Sequence, residues 1–468
     1  MRSIRKPRSP WTAALLAAAA STVQPLAAQA QDRPNIIFIM ADDMGYADLS
    51  VTGAQGYSTP VIDQLAADGV RLEQAYANSA ICSPTRAALL TGRYQYRYRA
   101  GLSEPNVRFV DGDEIPAGTP TVASLLGALG YHTALVGKWH VNRVPDHGPT
   151  NYGYDYFFGV AAGAADYFRH GYLANGRWGQ GLYQGQTPIE RHGYLTDVLT
   201  DEAIGQLDST DGKPLLLSLH YTAPHWPWEG PEDGDRPDTL TRLQDPHGGS
   251  LETYAAMMRN LDANIGRLLA ALDERGMTDN TIVVFTSDNG GERYSNTWPF
   301  IGYKGELLEG GIRVPVIVRW PGHLQAGRVS QQVMISMDFV PTFIEAAGGV
   351  VPDGLDGMSV LSQLEGEPDV PRRLFWRFNA ATQAALRDGD WKYLRLGAHE
   401  GLYNLSRDPR ERSNLAELYP ERLAEMRVQW DEWNAQMLPY GPGTASEGTF
   451  GAYADRYWPP IESSGGVQ

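Results

Sequence analysis

The 468-residue chain contains one cysteine, Cys82. One thiol cannot make an intrachain disulfide, a structural zinc cluster, a Cys-X-X-Cys redox pair or an iron–sulfur site, each of which needs at least two. Long apolar runs are also missing: after the first thirty residues no stretch approaches the ~20 apolar residues of a membrane span. Positive charge is scarce, with 39 Lys+Arg against 55 Asp+Glu and a formal net charge of −16. That balance argues against nucleic acid as a partner and against a broad basic surface. An anionic ligand would have to be held by a local cationic pocket.

Residues 1–30 read as an export leader. They carry the cations Arg2, Arg5, Lys6 and Arg8, an apolar run from Trp11 to Val23, and Ala28-Gln29-Ala30 as a small-x-small cleavage site. A cleavable signal peptide and a soluble periplasmic or secreted protein are therefore expected. With no cysteine at the cleavage point, a lipid anchor is not. Beyond the leader the chain exceeds the ~250–300 residues at which single cores stop growing. The expected division is a large α/β domain over 31–370, a small α+β subdomain over 371–458 and a flexible tail over 459–468.

Short apolar runs alternate with amphipathic stretches, the pattern of an α/β fold with a large, mixed but mostly parallel sheet sandwiched by helices. The runs are Asn35–Met40, Thr133–Val136, Pro214–Leu219, Thr281–Thr286 and Val314–Val318, the last interrupted by Pro315. Helices are predicted over Thr59–Gly69, Thr121–Leu129, Leu251–Arg275 and Phe339–Ala347. From about Pro371 the texture changes to Trp- and Arg-rich sequence, a strand-like Trp391–Leu396, Leu402–Leu405, a turn at Asp408-Pro409 and a helix near Leu415–Met437.

Polar clusters follow four of the runs: Asp42-Asp43, Lys138 and His140, His220 through His225, and Asp288-Asn289. Ligands bind beyond the carboxyl ends of strands in open parallel sheets, so these clusters should converge. Each also has a plainer reading. An Asp pair after a strand caps a turn as readily as it binds a metal; as hard oxygen donors, two such pairs suit Ca²⁺ or Mg²⁺ over zinc. Lys138 and His140, two apart in what reads as an extended segment, should point the same way. Only five lysines occur, Lys138 and Lys304 among them, which makes these positions look selective rather than merely solvated. An isolated cysteine is usually a small buried hydrophobe, but Pro84 and Gly92 bracket a short helix with Cys82 at its N-terminus and Arg86 one turn on.

Cys82-Ser83-Pro84-Thr85-Arg86 matches the Cys-x-Pro-x-Arg signature of the type I, formylglycine-dependent sulfatases of the alkaline-phosphatase-like superfamily. The resemblance continues through Thr91-Gly92-Arg93, Gly137-Lys138-Trp139-His140, Ala223-Pro224-His225, Asp288-Asn289-Gly290, Lys304 and Glu309-Gly310-Gly311. It implies a sulfuric ester hydrolase in which Cys82 is oxidised to Cα-formylglycine by a separate formylglycine-generating enzyme. It further implies that Asp42, Asp43, Asp288, Asn289 and the modified Cys82 hold one divalent cation, usually calcium. Arg86, Lys138 and Lys304 would surround the sulfate. In the implied mechanism Asp288 activates the nucleophile, His225 with Lys304 protonates the leaving oxygen, and His140 assists sulfate release. His220 is either a supporting neighbour or a packed strand-end histidine. Trp226, Trp228, Tyr294 and Trp298 would suit stacking on a sugar, although aromatic side chains are more often core. The expected substrate is a sulfated carbohydrate; the alternatives are a simple aryl sulfate, a phosphate or phosphonate ester, or a silent sugar-binding homologue.

Overall fold

The run Asn35–Ala41 sends Ile36, Phe38 and Met40 to one face and Ile37, Ile39 and Ala41 to the other, and both faces are buried. That is the condition under which a strand reads as a continuous apolar run rather than an alternating one. The computed structural model describes residues 33–106, 111–174, 176–234, 243, 248–378 and 381–441. The leader, the tail and the last part of the segment reaching 458 lie outside the described residues. Among the described residues no helix is long and apolar enough to cross a membrane.

Asn35–Ala41 runs through the middle of a ten-stranded sheet, parallel to Leu215–His220 on one side and Thr281–Ser287 on the other. His132–Gly137 and Tyr156–Val160 extend the parallel block. Leu182–Gln184 and Thr187–Pro188 finish that edge antiparallel. Beyond Thr281–Ser287 the sheet reverses at Val316–Arg319, which begins only after Pro315. Val70–Leu72 and Arg328–Ser330 complete it. Helices Pro60–Ala67, Leu195–Gln206 and Leu251–Glu274 pack on the face of Ile37 and Ile39. Cys82–Thr91, Val122–Ala128 and Phe339–Ala346 pack on the face of Phe38.

Arg373–Phe378, Gln383–Asp388, Trp391–Leu396 and His399–Asn404 form a second, antiparallel sheet in sequential order. Helix Pro420–Asn434, shorter than the stretch predicted, lies on it, and Trp430 Nε1 donates to the Trp376 carbonyl at 2.8 Å. The core beneath this sheet is shared: Trp376, Leu394 and Trp430 belong to the same apolar cluster as Cys82, Ala88, Leu307 and Leu308. The helix that begins at Cys82 is thus wedged between two sheets.

Register decides what happens at the sheet's edge. Met40 pairs with His220, His220 with Gly137, and Ala41 with Ser287. Four neighbouring strands therefore end level, and Asp42, Lys138, Tyr221 and Asp288 leave them side by side.

Candidate active site

Asp43 follows the first strand with a left-handed backbone, φ 61°. A non-glycine residue held there costs of order 1–3 kcal/mol and persists only where the surroundings over-determine it. Here its N–H donates to Asp288 Oδ1 at 3.2 Å, and its Oδ1 accepts from Asn289 Nδ2 at 2.8 Å. Three cations meet the acids. Arg86 donates from Nε and Nη2 to Asp288 Oδ2 at 3.1 and 2.8 Å, and from Nη1 to the Lys138 carbonyl at 3.0 Å. Lys138 Nζ lies 2.5 Å from Asp42 Oδ2, and Lys304 Nζ 2.6 Å from Asp43 Oδ2.

Burial pushes the Asp42 carboxyl well above its ordinary range, more than Lys138 pulls it back. For Asp43 and Asp288 burial acts the same way but loses, to Lys304 and Lys138 at Asp43 and to Arg86 and Lys138 at Asp288, so both are held low. Two oxygens make no hydrogen bond: Asp42 Oδ1 and Asn289 Oδ1 are buried, and the former meets only the charge of Arg86 Nη2 at 3.5 Å. One ligand atom from each of Asp42, Asp43, Cys82 and His225 falls within a 4.8 Å span. Buried, unpartnered hard oxygens beside carboxylates fit Ca²⁺ or Mg²⁺, whereas one thiol and one imidazole fall short of the nitrogen and sulfur set zinc prefers.

Cys82 opens helix Cys82–Thr91, which Gly92 ends in a left-handed turn, φ 65°. Its Sγ is 3.7 Å from Asp43 Oδ1, and the residue is 2% exposed. Burial raises the thiol well above its ordinary range, with Asp288 and Asp43 adding to the rise against Lys138 and Lys304. The sulfur therefore keeps its proton, and a protonated thiol is not a nucleophile.

The Lys138–His140 segment is not the extended stretch its spacing suggested. Gly137 has φ 114°, and a Cβ there would lie 1.8 Å from the His220 carbonyl oxygen. Only glycine lets the chain pass so close, and the backbone then turns, with Lys138 N–H donating to His220 O and Trp139 N–H to Val160 O. His140 comes out left-handed at φ 48°. Lys138 and His140 therefore reach the centre by a turn rather than by strand alternation. Both ring nitrogens of His140 are buried without a partner. Burial, then Lys138 and Arg86, hold this imidazole well below its usual pKa, so it is neutral.

His225 is fixed differently. Its Nδ1 lies 2.5 Å from the Trp226 carbonyl, which makes Nδ1 the protonated nitrogen and leaves Nε2 facing Lys304 Nζ at 3.3 Å and Asp43 Oδ2 at 3.4 Å. Burial, Lys304 and Lys138 keep this ring neutral too.

His220 packs behind the cations: Nδ1 is 3.3 Å from the Lys138 carbonyl and the ring meets Phe38 edge-on at 6.0 Å. It is a packed strand-end histidine rather than a substrate contact. Trp228 is likewise core, T-shaped on Tyr294 at 4.8 Å, while Tyr294 Oη ties down the Gly248 and Gly249 carbonyls. Trp226 leans on His225. Trp298 alone of these four is open, 56% exposed, with the Arg410 guanidinium 4.7 Å from its ring centroid.

Two residues escaped the sequence reading. Glu292 Oε2 lies 3.5 Å from Lys304 Nζ, and burial raises its carboxyl to about 7; its only signal was its position three residues past Asn289. Gly163 is pressed against the His140 ring, where a Cβ would lie 2.5 Å from Cε1. Glu309 belongs to a recognised motif but not to this site. It binds Lys392 Nζ at 2.9 Å, Tyr76 Oη at 2.7 Å and Arg313 Nη1 at 3.1 Å. The glycines after it supply the link back, since Gly290 N–H donates to the Gly311 carbonyl at 2.9 Å.

A family model described as Sulfatase matches residues 34–350, and one described as N-sulphoglucosamine sulphohydrolase, C-terminal, matches 303–431. The N-acetylgalactosamine-6-O-sulfatase of Bacteroides thetaiotaomicron is 30% identical over 88% of this chain and 95% of its own length. Arylsulfatase J of Mus musculus is 30% identical over 87% of this chain and 77% of its own. The crystal structure of Ps i-CgsB superposes with a TM-score of 0.77 at 29% identity, covering 91% of this chain and 97% of that one, and the same protein is known in complex with k-i-k-neocarrahexaose.

Proposed function

Because the chain belongs to the sulfatase family, has its alkaline-phosphatase-like fold and is a sulfuric ester hydrolase, we propose that it removes sulfate from glycans at the site around Cys82. The observation that carries this reading is the ring of Arg86, Lys138 and Lys304 around a buried Cys82 that is itself held as a neutral thiol. A local cationic pocket in a chain of formal charge −16 suits a tetrahedral oxyanion. The glycan reading takes its support from the substrates named for the relatives and from the open Trp298 with Arg410 beside it.

Conversion of Cys82 to formylglycine, by a separate generating enzyme, would supply in its hydrated form an oxygen nucleophile and a second hydroxyl through which sulfate could be released. Asp42, Asp43, Asp288 and Asn289 would hold a Ca²⁺ ion, which would supply Lewis-acid stabilisation of developing negative charge. The chain's own groups do the rest. Asp288, kept ionised against Arg86, is a weak base, so its work is to orient Arg86 and to ligate rather than to take the proton. Lys138, locked on Asp42, contributes charge. Lys304 stays protonated because its carboxylate neighbours, Asp43 foremost, outweigh the cost of its burial. With His225 Nε2 accepting from it, Lys304 is the donor to the departing oxygen and His225 directs that proton. Neutral His140, with both nitrogens unpartnered, is the base available for the release step.

The test uses protein matured in a host that makes formylglycine, assayed for sulfate release from 4-nitrophenyl sulfate, from sulfated oligosaccharides and, in parallel, for phosphate release from 4-nitrophenyl phosphate. Sulfate should be the preferred ester. Cys82→Ala should cost at least about a thousandfold in kcat, as removal of a nucleophile does, with an unchanged circular dichroism spectrum. An active Cys82→Ala enzyme, or a preference for phosphate, overturns the proposal.

A further inference from the structure

A pocket of about 400 Å³ lies away from the residues described so far, between the hairpin Tyr172–Ala174 and Arg177–Gly179 and the segment 189–192. We propose that this pocket is a subsite for an anionic sugar residue, one carrying a sulfate or a carboxylate, next to the residue that loses its sulfate. This rests on the glycan sulfatase reading above.

Continuity with the catalytic centre is the first support. Gly163 packs on the His140 ring, Tyr167 Oη donates to the His225 carbonyl at 3.0 Å, and Phe168 already lines the pocket. The five steps of chain from Gly163 to Phe168 span at most about 17 Å. One backbone segment therefore contacts both the catalytic histidines and the wall of the pocket.

Charge is the second. Among the described residues Arg169, Arg191 and His192 line the pocket with one acid, Glu190, in a chain where acids outnumber Lys+Arg by 55 to 39. Arg191 is half exposed, 4.0 Å from Glu202 and over the Phe158 ring at 5.7 Å. A planar guanidinium pairs with sulfate or carboxylate through two parallel N–H donors. Shape is the third. Trp178 is 36% exposed on the hairpin, with the Arg169 guanidinium 4.9 Å from its ring centroid. Such an aromatic wall suits the C–H face of a sugar. The opposite wall is fixed by Gln180, whose Nε2 donates to the Leu182 and Ile189 carbonyls at 2.9 and 2.8 Å. A cation beside an aromatic edge on a rigid frame is the chemistry of a charged saccharide rather than of an apolar ligand.

The test compares wild type with Trp178→Ala and Arg191→Ala on disaccharides of N-acetylgalactosamine 6-sulfate joined to glucuronic acid, to a sulfated galactose, or to plain galactose, and on 4-nitrophenyl sulfate. Wild type should favour one or both anionic neighbours over galactose, and which one it favours tells carboxylate from sulfate. In each variant KM for the favoured disaccharide should rise about tenfold or more, with kcat held and 4-nitrophenyl sulfate turned over as by wild type. Equal handling of charged and neutral neighbours by wild type, or equal losses on every substrate in the variants, overturns the subsite. Calorimetric titration of the same disaccharides separates the two readings. A wild type that cleaves no sulfate ester fails as a sulfatase; the subsite survives that result only if anionic disaccharides still bind better than the neutral one and the variants lose the difference.

Discussion

Replacing Lys392 by methionine should cost more stability as the pH rises. Lys392 is fully buried between the two sheets, 2.9 Å from Glu309 Oε1 and 2.7 Å from Glu411 Oε1. The two carboxyls move oppositely. At Glu309 burial is outweighed by Lys392, Arg313 and Arg387, which hold it at about 2 against an ordinary 4.5. At Glu411 burial outweighs Lys392, with Glu309 adding to the rise, and the group sits at about 7. Each shift corresponds to about 3 kcal/mol. Glu309 stabilises the fold above pH 4.5 and loses that contribution as the pH falls towards 2. Glu411 keeps its proton in the native state to about pH 7 while the unfolded chain releases it near 4.5, so its contribution is full below 4.5 and lost as the pH rises to 7. Removing the ammonium leaves Glu411 without its cation and Glu309 with Arg313 alone among cations in contact at 3.1 Å, and breaking such a buried pair costs about 3–5 kcal/mol. Above pH 4.5 the loss grows by up to about 1.4 kcal/mol per pH unit for each proton that the variant holds and wild type does not: that of Glu309 first, and that of Glu411 only as the pH nears 7, where wild type releases it. Urea denaturation followed by circular dichroism at pH 5, 6 and 7 measures this, with Lys392→Arg as the charge-preserving control. A loss under about 1 kcal/mol, or one that is the same at all three pH values, refutes the reasoning, since breaking a buried pair should exceed the worth of a surface one.

The catalytic centre yields two further expectations. Stripping divalent cations with a chelator should abolish sulfate release, and adding Ca²⁺ back should restore it; full activity in metal-free protein would remove the cation from the scheme. Lys304→Ala should lower kcat by about 10²–10⁴ on esters of sugar alcohols, whose departing oxygen needs a proton, and far less on 4-nitrophenyl sulfate, whose leaving group does not. Equal losses on both substrates would assign Lys304 to charge alone.

The central strands were legible because a parallel strand buried on both faces is written as an unbroken apolar run, as in Asn35–Ala41. Their polar sequels were legible because level strand ends leave Asp42, Lys138 and Asp288 nowhere else to go. Edge strands such as Leu182–Gln184 and Thr187–Pro188 are two or three residues long and carry no period to detect. Arg373–Phe378 and Gln383–Asp388 were obscured by polar residues that are nonetheless buried. Gln383 bonds the Leu307 N–H and the Gly305 carbonyl, and Arg377 is engaged by Asn434. Those partners lie more than fifty positions away, so nothing local marks the side chains as interior. The turn at His140 was misread for a related reason: it follows from contact between Gly137 and a neighbouring strand, not from the order of residues around it.

The wedge that holds Cys82 between two sheets also sets a clock. At 2% exposure the sulfur offers almost no surface to a second protein once the strands on either side have closed, so the oxidation proposed for Cys82 would belong to the interval between synthesis and folding. The proportion of active molecules would then be decided in that interval and fixed afterwards. Two preparations with identical folds would differ in specific activity, and the thiol released on denaturation would count the molecules that closed too soon.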